Sequence, residues 1–154
     1  MDLRNLLPPN HIVVGLKTAA RRELLAQLAA PLLKTGIVTD LEVFLSDVER
    51  REDEISTQIT HDIAIPHARS NAVRRLGFTV GIAPAPGLMF NPAAGHTCRV
   101  FFLVAVPSFS PTAHLKLLQH IVHFANDAKK MPKLLSVRTP GQAVTLLVNF
   151  KSPA

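Results

Sequence analysis

Residues 99–106 read RVFFLVAV, and every residue from Val100 to Val106 is apolar. β-branched and aromatic side chains favour extended backbone, and an unbroken apolar run indicates a strand that is covered on both faces. Two shorter runs, IAI at 63–65 and LGFTVGIA at 76–83, are bounded by Pro and Gly clusters and also predict strands. We therefore expect a sheet in which residues 100–106 form a central strand.

Two helical patterns follow the central strand in the chain. Residues 110–127 have apolar residues at helical spacing, with Ser110 as the expected N-cap and Pro111 at the first helical position. Residues 139–150 begin with Thr139, Pro140 and Gln142, which is the sequence signal of a capping box. The second pattern predicts a terminal helix.

Two more helices are predicted before the strands. Residues 18–36 carry leucines at helical spacing and stop at Gly36, and Pro31 predicts a kink because proline has no N–H to donate. Residues 38–53 begin with Thr39 and Glu42 at capping-box spacing, and this helix should end near residues 50–52. Helices on both sides of buried strands predict an α/β fold: one domain over residues 1–154, with a mixed β-sheet flanked by α-helices.

Composition excludes several classes of protein. With 154 residues, 47% of them apolar, the chain is long enough for one domain with a core. Neither an apolar run of membrane-spanning length nor a secretory pattern at the start is present, so we expect a cytoplasmic protein that does not insert into membranes. The net charge of +6 is spread over isolated basic pairs, and the chain has no Trp or Tyr, which argues against nucleic-acid binding.

The segment 62–69, DIAIPHAR, places an imidazole directly after a short strand and a proline. Ile65 should close the strand, and Pro66 should prevent it from continuing. His67 then emerges at a strand end, where α/β sheets commonly form ligand crevices. A neutral imidazole nitrogen can attack phosphorus, so we predict either a nucleophile for phosphoryl transfer or an exposed loop histidine without a role.

Other residues are candidates for anion contacts. His114 falls in the first turn of the predicted helix at 110–127, where free N–H groups favour a phosphate, although it could equally face solvent there. Arg50 and Arg51 could turn toward a phosphate or could simply stabilise a helix end. The hydroxyls of Ser56 and Thr57 could bind the same anion or cap turns.

Metal and hydrolase sites are weaker interpretations of the sequence. His120, His123 and Asp127 have helical spacing that would suit a metal hydrolase, but His114 would project from a different side and no third convergent ligand is evident. The sequence has no G-x-S-x-G or nucleotide-binding loop. Cys98 enters the buried strand and should pack rather than react. We therefore expect neither a metal nor a cofactor, and a protein that moves phosphate here would receive it from another protein.

The motifs together resemble the type 2 enzyme IIA family of the bacterial phosphoenolpyruvate-dependent sugar phosphotransferase system, which includes fructose- and mannitol-type domains and the nitrogen-regulatory IIA protein. The resemblance covers nearly the whole chain. It rests on AARRELLAQLA, on GIVTDLEVFLSDVERRE…ST leading into IAIPHAR, and on HLKLLQHIVHF after an apolar strand. It implies a phosphotransferase/anion transport protein-like fold for residues 1–154.

The resemblance also implies roles for residues and partners. His67 would be the phosphorylated histidine, His114 the second active-site histidine and Arg51 the arginine of the RE…ST segment. Arg69 is a further candidate for contact with the phosphate, although its closeness to His67 in sequence does not by itself put it there. Phosphate would arrive from an HPr-like phosphocarrier and leave for a cysteine of a IIB domain or serve a regulatory target. Because no IIB or IIC segment is attached, the regulatory, nitrogen-type form is slightly favoured; the alternative is a binding module that no longer transfers phosphate.

Two segments depart from the family pattern. Family members usually have a glycine-containing turn before AIPH, whereas this chain has QITHD at 58–62. The segment 84–99, PAPGLMFNPAAGHTCR, departs from the usual compact connection between the strands predicted at 76–83 and 100–106. These departures could change partner docking and the rim of the site, respectively.

Overall fold

A computed structural model describes residues 2–17, 20–59 and 62–151. Most of the strands are consecutive in the chain and have helices before and after them, and short 3₁₀ turns lie at Pro9–His11 and Pro92–Ala94. The elements, in chain order, are α1 (Leu3–Leu6), β1 (Ile12–Val14), α2 (Arg21–Lys34), α3 (Leu41–Glu54), β2 (Gln58–Ile59), β3 (Ile63–Ala64), β4 (His67–Ser70), β5 (Gly77–Ile82), β6 (Val100–Pro107), α4 (Leu115–Ala125), α5 (Lys130–Leu135) and α6 (Pro140–Asn149).

The strands form one mixed sheet in the order β1-β5-β6-β3-β2. β6 lies at its centre: it is antiparallel to β5 on one side, and on the other side it is parallel to β3 with its first half and to β4 with its second half. All eight residues of β6 are buried. The predicted mixed α/β sheet with a central strand at 100–106 is therefore confirmed.

Helices cover both faces of the sheet. Alternate residues of β6 enter two separate cores: Phe101 and Leu103 pack with α2 and α3, whereas Phe102 and Val104 pack with α4 and α6. This alternation follows from the two-residue period of a strand. The result is a three-layer structure in which α3 packs against β4 and the start of α4 approaches from the opposite layer.

The strand prediction around Pro66 is wrong in one respect. Pro66 does not end the sheet pairing, because β3 lies before it and β4 lies after it, and both pair with β6. Proline lacks an N–H but keeps its acceptor, and the Pro66 carbonyl accepts a hydrogen bond from the N–H of Val104 at 2.9 Å. His67 is consequently the first residue of a strand rather than a loop residue.

Three helix boundaries also differ from the predictions. Asp40, not Thr39, caps α3 by accepting a hydrogen bond from the N–H of Val43, while the Thr39 hydroxyl donates to the Ala72 carbonyl. The same helix continues to Glu54 rather than ending at residues 50–52. Ser110 is not an N-cap, because a series of turns precedes α4 and places His114 at the N-cap position.

The predicted terminal helix is confirmed as α6, with a full capping box formed by Thr139 and Gln142. Pro31 lies inside α2 as predicted, and the predicted start of that helix at residues 18–19 lies outside the described residues. In the turn before β3, Thr60 and His61 also lie outside the described residues. Asp62, at the end of that turn, has φ of 62°, a left-handed conformation that glycine adopts at lower cost.

Gly81 on β5 lies against two buried leucine side chains. A Cβ built at this position would lie 2.4 Å from a Leu28 methyl carbon and 2.5 Å from a Leu16 methyl carbon, so both leucine side chains would have to move in the packed core. We expect Gly81→Ala to lower the free energy of unfolding by about 1–3 kcal/mol, as overpacked cores do. Urea unfolding measures the change. Gly141→Ala is the control, because a Cβ there meets nothing within 4 Å; equal stability of the two variants would contradict the expected packing at Gly81.

Candidate functional site

A cleft of about 380 Å³ lies where α3, β4 and the start of α4 meet. Its walls carry three arginines, two carboxylates and two histidines, which makes it strongly polar. The lining residues are Asp47, Arg50, Arg51, Glu54, His67, Ala68, Arg69 and His114. The cleft thus brings together the predicted residues His67, His114, Arg51 and Arg69.

One face of α3 supplies the charged wall of the cleft. Asp47, Arg50, Arg51 and Glu54 follow the i, i+3, i+4, i+7 spacing that puts residues on one side of a helix. Arg50 is paired with Asp47 at 3.2 Å. Arg51, in the last turn, donates from its guanidinium to the Ile55 carbonyl at 2.9 Å. Asp47 and Glu54 were not among the predicted site residues, although their helical spacing from Arg50 and Arg51 could have identified them.

The strand β4 supplies His67 and Arg69. Residues i and i+2 of a strand point to the same face, so these two side chains both reach the cleft. Ala68, which also borders the cleft, and Ser70 are buried. Their placement depends on β4 being a strand, which the sequence did not predict.

The ring of His67 has a defined tautomer. Its Nδ1 lies 2.8 Å from the carbonyl oxygen of Ile65, and because a carbonyl can only accept, Nδ1 carries the proton. Nε2 is then unprotonated. In the part of the chain that the structure describes, no hydrogen bond reaches Nε2, and it is not among the buried nitrogens that lack a partner. The half-buried ring therefore presents the lone pair of Nε2 to the cleft.

The surroundings of His67 favour its neutral form. Burial lowers the pKa of His67, and the positive charges of Arg51 and Arg69 lower it further. The hydrogen bond to Ile65 and the negative charge of Glu52 act in the opposite direction, but the pKa remains below its ordinary value. A neutral imidazole is the nucleophilic form.

His114 faces His67 across the cleft. The ring centroids are 6.0 Å apart, and His114 is only 5% exposed. Its Nδ1 is buried without a hydrogen-bond partner among the described residues. Burial, followed by the charges of His67 and Arg69, lowers the pKa of His114. A buried donor or acceptor without a partner is costly. His114 nevertheless lines the cleft, which puts its ring within reach of a group that enters there.

We predict that His67 titrates below the ordinary histidine value of about 6.5. Its pKa is lowered, so most of the rings are neutral at pH 6.5 and above, and half are protonated only at a lower pH. The pH at which its ring signals are half shifted in an NMR titration measures this, with His67→Gln to assign the signals. A midpoint at or above 6.5 would contradict the burial and charges described here.

The two hydroxyl candidates lie outside the cleft lining. Ser56 Oγ accepts a hydrogen bond from the N–H of Gln58 at 3.1 Å, which is a turn contact. Thr57 is buried, and its hydroxyl donates to the carboxylate of Glu52. The structure therefore does not bring Ser56 and Thr57 together with His67 and the arginines.

The geometry gives no support to the metal and thiol alternatives. Among the described residues, no group of three or more His, Cys, Asp or Glu side chains is placed to hold a metal ion. His120 Nε2 bonds the Leu147 carbonyl at 2.9 Å, and Asp127 accepts hydrogen bonds from the N–H groups of Lys129 and Lys130. Burial raises the pKa of Cys98 to about 12, which makes its thiol unreactive.

Within the described ranges, no helix combines the length and apolar character that crossing a bilayer requires.

Curated relatives of two kinds match this chain. The 2-O-alpha-mannosyl-D-glycerate-specific EIIABC component of Escherichia coli is 26% identical over 96% of this chain, which spans 22% of that protein's length. Two further relatives are likewise matched over only 19% and 18% of their length. A nitrogen regulatory protein of Pseudomonas aeruginosa is 24% identical over 97% of both chains.

Solved structures share the fold. The nitrogen regulatory protein IIA-Ntr from Neisseria meningitidis has a TM-score of 0.82 at 20% identity, covering 94% of this chain and 98% of its own. The E. coli mannitol IIA enzyme, solved in complex with phosphorylated mannitol IIB, has a TM-score of 0.78 at 20% identity, with the same coverage.

The family model described as "Phosphoenolpyruvate-dependent sugar phosphotransferase system, EIIA 2" matches residues 5–149. The match includes every residue of the cleft. The chain therefore belongs to the type 2 EIIA family of the phosphoenolpyruvate-dependent sugar phosphotransferase system.

Proposed function

We propose that this protein is a phosphohistidine carrier, and that Nε2 of His67 accepts the phosphoryl group. One observation carries the proposal: Nδ1–H is fixed on the Ile65 carbonyl, so the lone pair of Nε2 points into a cleft lined by three arginines. Phosphoryl transfer needs an in-line nucleophile and charge stabilisation more than covalent machinery. We take the whole chain, residues 1–154, as one type 2 EIIA domain, acting in the cytoplasm.

The transfer step follows from this geometry. The donor would be the phosphohistidine of an HPr-like protein. As the bond from His67 Nε2 to phosphorus forms, the bond from phosphorus to the donor nitrogen breaks, and its electron pair returns to the donor ring. Nδ1 of His67 keeps its proton on the Ile65 carbonyl, so the phosphorylated ring can leave as neutral imidazole in the onward transfer. The reaction is thereby reversible.

The arginines and His114 have separate roles in this proposal. Arg51 and Arg69 flank His67 and would hold the charge of the equatorial phosphoryl oxygens in the transition state. His114 would bind the phosphoryl group or the phosphorylated ring through the nitrogen that faces the cleft. Ser56 and Thr57, which lie outside the cleft lining, are given no contact with phosphate.

The surface beside the cleft is suited to a protein donor. Ile55 is 72% exposed, and Leu115 is also exposed. Ile55 adjoins Glu54, and Leu115 adjoins His114, so apolar side chains flank the polar cleft in the chain. Exposed apolar residues beside a charged site are typical of protein interfaces.

The proposal is tested by incubating the protein with phosphoenolpyruvate, enzyme I and HPr. We expect a mass increase of one phosphoryl group that requires all three components. An unchanged mass, with both the fructose-type and nitrogen-type HPr proteins as donors, would identify a binding module that does not transfer phosphate.

Two destinations belong to the proposal, a IIB domain or a regulatory target, because relatives of both kinds match this chain. Mixing the phosphorylated protein with IIB domains distinguishes them. Loss of label to a IIB domain assigns sugar transport. Retention of label with all IIB domains tested, together with phosphorylation-dependent binding of another protein, assigns regulation.

A further inference from the structure

Glu52 is a buried carboxylate next to the site. It follows Arg51 in α3, but its side chain turns inward and is 1% exposed. A buried charge is costly unless it is hydrogen-bonded. No Lys or Arg pairs with Glu52 in the part of the chain described. Instead it accepts three hydrogen bonds: from the Thr57 N–H at 2.8 Å, from the Thr57 hydroxyl and from the Asn91 amide at 2.8 Å.

The hydrogen bonds continue from Thr57 to the nucleophile. The Thr57 carbonyl accepts from the Ile65 N–H at 3.1 Å, and the Ile65 carbonyl accepts from Nδ1–H of His67 at 2.8 Å. Ile65, the residue whose carbonyl fixes the His67 tautomer, is therefore held through its N–H by Thr57, the residue that Glu52 binds. We propose that Glu52 is a positioning residue for phosphoryl transfer, holding Thr57 and through it the Ile65 carbonyl that keeps the proton of His67 on Nδ1.

This inference rests on the proposed function of His67, which requires an unprotonated Nε2. If the Ile65 carbonyl shifts, the ring can turn, which moves Nε2 out of line with phosphorus. The ring can also take the other tautomer, in which Nε2 carries the proton and cannot attack. Small misplacements of a reacting group are enough to slow a reaction strongly. Glu52 touches neither the reacting nitrogen nor the cleft, so it acts through other residues.

Glu52 also contributes electrostatically. Three charged groups act on His67: Arg51 and Glu52 from α3 and Arg69 from β4. The titratable ring of His114, at the start of α4, faces it across the cleft. Among these, the negative charge of Glu52 raises the pKa of His67. Loss of that charge should therefore move the titration of His67 to lower pH, which a purely mechanical support would not do.

Asn91 joins the 84–99 segment to the same carboxylate. Its side chain donates to Glu52, and its backbone N–H donates to the side-chain oxygen of Gln58 at 2.9 Å. This segment, which departs from the family pattern, is thus attached beneath the site through the same cluster of Glu52, Thr57 and Asn91.

The sharpest test uses a matched pair at Thr57. Thr57→Val keeps the shape and the backbone groups but removes the hydroxyl donor, whereas Thr57→Ser keeps the donor. We expect Thr57→Val to slow phosphoryl transfer from phosphorylated HPr about tenfold and Thr57→Ser to retain most of the rate. In the unphosphorylated protein, ¹⁵N NMR of the His67 ring should show the Nδ1–H tautomer in wild type and Thr57→Ser, and a mixture in Thr57→Val.

Glu52→Gln provides the second test, with Glu49→Gln as control for loss of a carboxylate on the same helix. Glu49 pairs with Arg21 and Arg22 and has no link to His67. We expect Glu52→Gln, but not Glu49→Gln, to lower the pH midpoint of His67 and slow transfer. The inference would be overturned if Thr57→Val and folded Glu52→Gln both had the wild-type His67 tautomer, the wild-type pH midpoint of His67 and the wild-type rate of phosphoryl transfer.

The two proposals fail in different ways. If wild-type protein is not phosphorylated on His67, the proposed function fails, while the tautomer measurement on unphosphorylated protein still decides the positioning role. Should Glu52→Gln not fold, the Thr57 pair alone decides it.

Discussion

Replacing His67 by alanine is expected to abolish phosphorylation, with label from phosphoenolpyruvate falling to background in the presence of enzyme I and HPr. The reason is chemical: the substitution removes the attacking atom, and the proposal gives the other cleft histidine, His114, a binding role rather than a nucleophilic one. Arginine cannot act as a nucleophile at neutral pH because it stays protonated. Mass spectrometry and radiolabelling both measure the loss.

His96→Ala is the control for loss of an imidazole. His96 is exposed and bonds Gln58 rather than any residue of the cleft. We expect wild-type labelling of this variant. Thermal unfolding should show that His67→Ala is folded. Label at the wild-type level on folded His67→Ala would show that another residue accepts phosphate.

Replacing Arg51 by glutamine should slow phosphoryl transfer about 100-fold, the effect typical of removing one preorganised donor from a transition state. Arg51 lines the cleft beside His67 and lies close enough for its charge to lower the pKa of that ring. The developing charge on the phosphoryl oxygens would lose its partner. Rapid-quench measurement of single-turnover rates from phosphorylated HPr gives the effect directly.

Two variants define what Arg51 contributes. Arg51→Lys keeps the charge but replaces a planar fork by a point charge, so its rate should fall between wild type and Arg51→Gln. Arg74→Gln removes an exposed arginine that is not part of the cleft and should transfer at the wild-type rate. If Arg51→Gln also transfers at that rate, Arg51 serves only the helix end, where its guanidinium donates to the Ile55 carbonyl.

The central elements of the fold were predictable because their signals are local. Val100–Val106 is apolar at every position, and only a strand between two helical layers buries all of it. The Thr139 and Gln142 capping box fixed the start of α6 for the same reason, since both partners lie within one turn.

Elements that depend on distant partners escaped prediction. β1 has three residues and exists because it pairs with β5. β4 follows a proline and exists because the second half of β6 extends beyond β3 and offers it a partner. α5 was not predicted because six residues are too few to show a helical period, and its Pro132 is tolerated in the first turn, where no backbone N–H needs an intrahelical partner.

The site was predictable in part. The resemblance pointed to His67, His114 and Arg51, and the structure brings all three to one cleft. Arg69 reaches the cleft because side chains alternate between the two faces of β4. Its position could not be inferred because that strand was not predicted. Ser56 and Thr57 adjoin the motif in sequence but bond within their own loop.

Glu52 escaped prediction for a different reason. The RE…ST segment contains it, but only the tertiary structure shows that its side chain turns away from the arginines to meet Thr57 and the distant Asn91. A position of this kind carries no sequence signal that separates it from the exposed acidic residues Asp53 and Glu54 beside it.

The most direct test of the proposed carrier role is to locate the phosphoryl group on the phosphorylated protein by ³¹P–¹⁵N NMR. We predict one phosphoryl group, on Nε2 of His67. Nδ1 of the same ring should still carry its proton and donate it to the Ile65 carbonyl. A phosphoryl group on Nδ1 of His67, or on any other residue, would contradict the proposed mechanism.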